Sequence, residues 1–286
     1  MPDRPRNVGA SVRQRLLNLA HARGQPMELL LTRYALERLL HRLSLSPHRE
    51  RFVLKGAMLL ATWFDEPHRA TRDVDLLGFG DAAEDALLRA FREIMAVEVD
   101  DGVVFDLKGL RIEAIREEVE YGGSRLRTTA ALAGARIPIT VDIGFGDAVE
   151  PGVEDIDLPV LLNMPSPHLR AYPPETVIAE KFHAMVALGR ANSRMKDYYD
   201  VWMLMTTFEL EPERMRRAIA ATFARRNTMI PPEVPDGLSD DFAGDPGKQR
   251  QWEAFAQNLS GSAPQFLRVV RDLRQGLVPF FSANRS

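Results

Sequence analysis

The 286-residue sequence contains no cysteine. This absence excludes disulfide bonds, thiolate zinc sites and thiol nucleophiles, and it suits a reducing compartment. The chain also has no apolar run near the roughly 18 residues that a membrane-spanning helix needs, and residues 1–15 do not have the apolar centre of a signal peptide. We therefore expect a soluble, cytoplasmic protein with no membrane partner.

Several familiar catalytic patterns are missing as well. The six histidines follow no metal-ligand spacing, and neither a G-x-S-x-G nor a Walker A motif occurs. These absences argue against hydrolase and P-loop chemistry. The 37 basic and 40 acidic residues give a net charge of -3, so a nucleic-acid partner would have to meet a local basic surface.

The first part of the chain mixes short apolar strand patterns with helical ones. Gly134 separates two long strand patterns, which predicts a hairpin and a mixed or antiparallel sheet. The predicted helices are 11–21, 27–45, 57–64 and 82–95, and the predicted strands are 52–54, 74–77, 103–105, 111–115, 125–132 and 137–143.

A proline-rich segment from Pro151 to Pro174 separates this part from a second one, and it could contain a short strand at 157–162. Beyond it the apolar spacing is helical, with an exposed loop expected at 230–247. The predicted helices are 175–188, 193–206, 212–225, 249–258 and 263–277. The fold class is therefore α+β: a sheet domain with N-terminal helices over residues 1–160, then a helical lobe over residues 161–286.

Two aspartates, Asp73 and Asp75, alternate with the apolar Val74 and Leu76 and should project from one face of a strand. Neighbouring carboxylates repel unless a cation lies between them, and hard oxygen ligands suit Mg²⁺ or Mn²⁺. Asp142 has the same alternating context. If its strand lies beside the first, three acids share one face and could hold two metals for phosphoryl transfer.

Lys55 and Gly56 end a strand just before a helix, where backbone N–H groups could meet a triphosphate. A second D-x-D, formed by Asp155 and Asp157, has no such turn before it and precedes Pro159. We interpret that second pattern as a solvated loop or sheet edge.

In the helical part, Asp197 and Asp200 are three residues apart and fall among apolar residues. A partly buried aspartate needs a cationic partner, and Lys181 on the preceding helix is the candidate.

These segments together resemble the AbiEii/AbiGii toxin family of nucleotidyltransferases, which includes the mycobacterial MenT toxins. The resemblance covers roughly residues 10 to 285. It rests on 54–56 (LKG), 69–76 (RATRDVDL), 180–184 (EKFHA) and 194–200 (RMKDYYD).

The resemblance implies a polymerase-beta-like nucleotidyltransferase sheet with flanking helices and a helical bundle lobe that completes the active-site cleft. It implies transfer of NMP from an NTP to an acceptor, expected to be a tRNA 3′ end, by the toxin of a type IV toxin–antitoxin pair with an AbiEi-like antitoxin encoded nearby. The catalytic residues would be Asp73, Asp75, Lys181 and Asp200. Nucleotide would be bound by Lys55, Gly56, Ala57, Arg72, Lys181 and Asp197, and metal by Asp73, Asp75 and Asp142.

One departure from the family pattern lies at Ala57 and Met58, where relatives more often carry a hydroxyl side chain that could contact phosphate. The acceptor also has alternatives: a small-molecule hydroxyl, a protein hydroxyl, or none at all if the chain is a non-catalytic nucleotide-binding module. For an RNA acceptor, Arg190, Arg194 and Lys196 flank the last motif. A second basic group on the next helix, 216–226, could equally be a solvated face paired with Glu211 and Glu213.

Overall fold

A computed structural model describes residues 7–64, 71–115, 123–257, 259, 261 and 263–281. Residues 69 and 70 of the RATRDVDL segment lie outside these described residues. The chain divides into two compact units. The sheet unit comprises Met1–Gly146 and Glu154–Ala171, and the helical unit comprises Asp147–Val153 and Tyr172–Ser286.

The described residues of the sheet unit form an eight-stranded mixed sheet with helices. The helices are α1 (Val8–Arg23), α2 (Met27–Leu45), α3 (Ala57–Trp63) and α4 (Glu84–Ala96). The strands are β1 (Phe52–Lys55), β2 (Val74–Gly78), β3 (Val104–Phe105), β4 (Arg111–Ile115), β5 (Gly123–Leu132), β6 (Ala135–Phe145), β7 (Glu154–Asp157) and β8 (His168–Ala171).

The strands lie in the order β3-β5-β6-β2-β1-β8-β7, and β4 pairs with β5 beside β3. Strand β2 runs antiparallel to β1 and parallel to β6. The long hairpin of β5 and β6 turns at Ala133 and Gly134, whose φ angles of 44° and 83° are both positive. Two consecutive positive φ angles belong to the tight turns whose twist matches that of paired strands.

One face of the central strands is apolar and buried. Along β6, Ile137, Ile139, Val141 and Ile143 are at most 2% exposed, and the residues between them are more exposed. Helix α2 packs against β6 and α4 packs against α2, so these helices cover the apolar face. The opposite face of β6 carries the polar residues, including Asp142.

The helical unit contains α5 (Pro174–Leu188), α6 (Met195–Thr207), α7 (Pro212–Arg225), α8 (Asp240–Gly244), α9 (Pro246–Ala256) and α10 (Phe266–Phe281). Its core includes aromatic contacts of Tyr198 and Trp252 with Phe266, at ring-centroid distances of 5.3 and 5.0 Å. The Tyr198 hydroxyl donates a hydrogen bond to the carbonyl oxygen of Gly237 at 3.0 Å. This contact ties α6 to the segment that precedes α8.

The predicted α+β class is confirmed: a mixed sheet with flanking helices is followed along the chain by a helical region. The short strand expected at 157–162 was wrong, because the strand is β7 at Glu154–Asp157, and Pro159 cannot donate to a ladder beyond it. The loop expected at 230–247 was also wrong in part, since α8 forms within it behind a Ser239 cap. Among the described residues, no helix combines the length and apolarity needed to span a bilayer.

Candidate active site

Four charged residues form a row across four neighbouring strands of the sheet unit. Lys55 of β1 pairs in register with Asp75 of β2, and Asp75 pairs with Asp142 of β6. Asp142 in turn pairs with Arg125 of β5. Because neighbouring strands are about 4.8 Å apart, each side chain of this row lies next to the following one. The adjacent placement of Asp75 and Asp142 confirms that their strands are neighbours.

Gly56 packs directly against the carboxylate of Asp75. A Cβ atom at residue 56 would lie 2.0 Å from Asp75 Oδ2 and 2.6 Å from its Cγ, so no side chain fits there. The backbone of Gly56 has φ 72° and ψ -155°, a conformation that is essentially restricted to glycine. The turn between β1 and α3 therefore requires glycine for two independent reasons, and one of them is the position of Asp75.

Arg125 holds the carboxylate of Asp142 with two parallel hydrogen bonds. Arg125 Nε donates to Asp142 Oδ1 at 2.7 Å, and a terminal guanidinium nitrogen donates to Asp142 Oδ2 at 2.6 Å. These hydrogen bonds raise the pKa of Arg125, and the negative charges of Asp142, Asp73 and Glu113 raise it further. Both oxygens of Asp142 thus face a resident cation.

Asp73 lies immediately before β2, and its Oδ1 accepts a hydrogen bond from the Thr71 hydroxyl at 3.0 Å. Arg72 is exposed beside it, and Ala57 is the half-buried first residue of α3. Within the described part of the chain, no three Asp, Glu or His side chains are grouped as metal ligands. The metal role of Asp142 stays a prediction, as do the nucleotide roles of Arg72 and Ala57.

In the helical unit, Lys181 of α5 lies between two aspartates of α6. Its Nζ is 2.5 Å from Asp197 Oδ1 and 3.1 Å from Asp200 Oδ2. The side chains of Asp197 and Asp200 are only 7% and 2% exposed, and the ammonium group of Lys181 compensates their buried charge. The ion pair expected from helix spacing is confirmed, and it brings together three of the predicted site residues.

A second polar network surrounds Glu180, the neighbour of Lys181. Arg226 lies 3.4 Å from Glu180 and 3.7 Å from Asp147, and the Tyr172 hydroxyl is 3.3 Å from Asp147. Arg226 also approaches Nδ1 of His183 at 3.3 Å. Burial of the imidazole, and then the charge of Arg226, lower the pKa of His183 to about 4. His183 is therefore neutral at physiological pH.

The basic residues proposed for RNA differ in their surroundings. Arg190 is exposed near Asp236 and Asp241 at 3.8 and 3.9 Å, distances at which solvent weakens an ion pair. Arg216 pairs with Glu213 at 3.1 Å on α7, as expected for a solvated helix face.

The second D-x-D lies on β7, an edge strand in the described sheet, which confirms its interpretation as a sheet edge. Asp155 forms an ion pair with Arg49, and Asp157 Oδ1 is 2.9 Å from Nδ1 of His168.

Arg125 was not among the residues expected to shape the site, and Arg226 was named only within the second basic group, 216–226. A signal for Arg125 was available, since a two-residue turn at Ala133 and Gly134 sets the hairpin register and places residue 125 opposite residue 142. Arg226 offered no comparable signal, because its partners Asp147 and Glu180 are distant in sequence.

Comparison with known proteins gives one family match and two similar solved structures. A family model described as "Nucleotidyl transferase AbiEii toxin, Type IV TA system" matches residues 38–276. JHP933 from Helicobacter pylori has a TM-score of 0.50 and 14% identity, with 90% of this chain and 93% of that chain covered. A candidate nucleotidyltransferase from H. pylori has a TM-score of 0.50 and 15% identity, with coverages of 86% and 92%. At these identities the structures support the fold alone. No curated protein matches the chain significantly.

Proposed function

Because this chain belongs to the AbiEii family of nucleotidyl transferase toxins of type IV toxin–antitoxin systems, we propose that it transfers NMP from an NTP to an RNA hydroxyl, specifically at a tRNA 3′ end. Nucleotidyl transfer by a toxin that has an antitoxin partner follows from the family. The tRNA acceptor, an AbiEi-like antitoxin encoded nearby and a cytoplasmic location are parts of the proposal.

The observation that carries the proposal is the position of Asp75. Its carboxylate lies in a row between Lys55 and Asp142, and Gly56 packs so closely against it that a Cβ would clash. A carboxylate held on a strand by a glycine turn is preorganised, so it needs little rearrangement when a charged substrate binds. We assign the triphosphate to this turn, with Lys55, Gly56, Ala57 and Arg72 as its contacts.

The residues present fit a divalent cation at Asp73 and Asp75. Both supply hard carboxylate oxygens, as Mg²⁺ and Mn²⁺ prefer, and the close contact of Gly56 with Asp75 Oδ2 holds this carboxylate in position. Such an ion, when bound, would neutralise the charge of the triphosphate. Asp142 is the proposed third ligand: Arg125 donates one hydrogen bond to each of its oxygens, and each oxygen keeps a second lone pair that can face an ion.

Lys181 is proposed to contact a nucleotide phosphate, with its ammonium group positioned by Asp197 and Asp200. The two short ion-pair distances restrict the ammonium to one place, which favours a positioning role for both aspartates. We assign the role of essential acid to Asp200, as the family resemblance implies; its side chain is 2% exposed.

In the proposed reaction, the acceptor hydroxyl oxygen forms a bond to the α-phosphorus of the NTP. The bond from this phosphorus to the β-phosphate oxygen breaks, pyrophosphate leaves, and the hydroxyl proton is released. The polypeptide positions the phosphates and compensates their charge, which is the main demand of phosphoryl transfer.

The test is transfer of label from each α-³²P-labelled NTP, with Mg²⁺ or Mn²⁺, to total tRNA, to small hydroxyl compounds and to protein. Label on tRNA supports the proposal, and label on a small molecule or protein redirects it to the alternative acceptors. Absence of label under all conditions contradicts it.

An Asp75→Asn variant keeps the size of the side chain beside Gly56 and removes its charge. We expect transfer to fall on the order of 10²- to 10³-fold, the effect of losing one preorganised electrostatic contact. The matched control is Asp157→Asn, which changes the second D-x-D on the sheet edge and should retain transfer. Equal activity of the two variants would refute the role of Asp75.

A further inference from the structure

The open face of β4, β5 and β6 carries three arginines beyond the row of Lys55, Asp75, Asp142 and Arg125. Arg127 pairs in register with Thr140 of β6 on one side and with Arg111 of β4 on the other. Arg136 lies farther along β6. It is four residues before Thr140 and six before Asp142, and an even separation along a strand places side chains on the same face. We call Arg111, Arg127 and Arg136 the arginine face.

The arginine face has excess positive charge. The side chains of Arg111 and Arg127 are 64% and 40% exposed, and they share a single carboxylate, Glu113, at 3.5 and 3.2 Å. Among the described residues of these strands, three guanidinium groups against the carboxylate of Glu113 leave a net charge of about two, whereas the whole chain has a net charge of -3. Arg125 adds nothing to this excess, because Asp142 neutralises it.

The pairing of Arg111 with Arg127 is unfavourable unless an anion compensates it. Like charges directly opposite each other on antiparallel strands destabilise a sheet, and exposed ion pairs to one shared glutamate offset this only weakly. This pair, formed by the first residue of β4 and a residue near the middle of β5, therefore points to a polyanionic ligand.

The shape and composition of the face favour RNA over an acidic protein. Between the arginines lie short side chains such as Thr129 and Thr140. Among the described residues of these strands and β3, Val104 is the one large apolar side chain that is strongly exposed on this face. An apolar centre, which protein interfaces usually contain, is therefore absent from the described part of this surface.

The face begins at the row that contains Asp75. Asp142 and Arg136 are six residues apart on β6, a distance of about 20 Å, and β4 lies about 10 Å across the sheet from β6. A chain whose terminal hydroxyl reaches the carboxylates would therefore have room for several phosphates along the arginines.

We infer that the arginine face binds the phosphate backbone of the RNA acceptor and directs its end toward Asp75. This inference rests on the proposed function, which it deepens by assigning the RNA a surface on the sheet unit.

The experiment measures binding of a 5′-fluorescein-labelled RNA hairpin with a single-stranded 3′ tail by fluorescence anisotropy, from about 50 to 200 mM KCl. The test variant is R111Q/R127Q/R136Q. The control is R23Q/R89Q/R92Q, which removes three exposed arginines from α1 and α4 and causes the same change in net charge. Thermal unfolding verifies that both variants are folded.

Each phosphate contact to single-stranded nucleic acid contributes about 0.7 to the slope of log affinity against log salt concentration, so loss of three contacts should reduce the slope by about 2. We expect the test variant to bind the hairpin roughly 10- to 100-fold more weakly at about 0.1 M salt. The control should stay within about twofold of the unmodified protein.

The inference is overturned if the test variant keeps the affinity and slope of the unmodified protein, if both triple variants lose affinity equally, or if the unmodified protein does not bind the hairpin. It is also overturned if an acidic polypeptide, and not RNA, competes for this face. The label-transfer assay separates these results from a failure of the proposed function. Transfer that depends on Asp75 but not on the arginine face leaves the function standing, whereas absence of transfer to any acceptor contradicts the function whatever the hairpin result.

Discussion

Replacing Gly56 with alanine tests whether the glycine turn holds the Asp75 carboxylate in place. The added Cβ would lie 2.0 Å from Asp75 Oδ2 and 2.7 Å from Asp75 Cβ, far inside van der Waals contact. One of the two residues must move. Movement of Gly56 would displace the backbone between β1 and α3, whereas the Asp75 side chain can rotate. We therefore expect the Asp75 side chain to rotate away from its place in the row.

The energetic effect has two parts. An alanine at φ 72° and ψ -155° costs about 1–3 kcal/mol of backbone strain. Overpacking against Asp75 costs about another 1–3 kcal/mol if the surroundings relax in the usual way. The free energy of unfolding should therefore decrease by about 2–6 kcal/mol.

A matched control is available in Gly80, which also has a positive φ, 82°, but has no atom within 4 Å of the position that a Cβ would take. Gly80→Ala adds strain without the clash. We expect it to lower the free energy of unfolding by about 1–2 kcal/mol and to leave label transfer unchanged.

Urea unfolding and label transfer from an NTP should be measured on the same protein preparations, at a temperature where both variants are folded. The rate of label transfer by Gly56→Ala should fall, relative to the unmodified protein, by at least the factor expected for Asp75→Asn. If folded Gly56→Ala transfers label at the rate of the Gly80→Ala variant, the contact between Gly56 and Asp75 has no part in catalysis and the reasoning is refuted.

Two further predictions concern the helical unit. Lys181→Met removes the ammonium group that pairs with two buried aspartates and should reduce the free energy of unfolding at pH 7 by about 3–5 kcal/mol; a change below about 0.5 kcal/mol in urea unfolding would contradict the importance of the pairing. The pKa of His183 is lowered to about 4 in the folded chain, so the unfolded chain takes up this proton first as the pH falls. This histidine alone should therefore lower the free energy of unfolding by about 2 kcal/mol between pH 7 and pH 5. In His183→Gln, the decrease in the free energy of unfolding between these two pH values should be smaller by about 2 kcal/mol.

Much of the site follows from short-range patterns. The alternation around Asp75 and Asp142 predicts strands with polar residues on one face, and the structure has β2 and β6 there. The spacing of Asp197 and Asp200 predicts two neighbouring carboxylates on a helix that need a cation, and Lys181 supplies it. Each of these inferences needs only a few consecutive residues. Side chains return to the same face after two residues in a strand and after three or four residues in a helix. The division of function between residues 1–160 and 161–286 stays a prediction.

Other features depend on which distant segments pair, and local patterns do not contain that information. The parallel pairing of β2 with β6 brings Asp75 beside Asp142, and the fold of the β1–α3 turn presses Gly56 against Asp75. The hydrogen bonds of Arg125 to Asp142 also depend on register, since a shift of one residue would turn Arg125 to the other face of the sheet. The chain thus specifies its carboxylates locally, but their neighbours and counter-charges are decided by strand order and register, which arise only when the whole sheet forms.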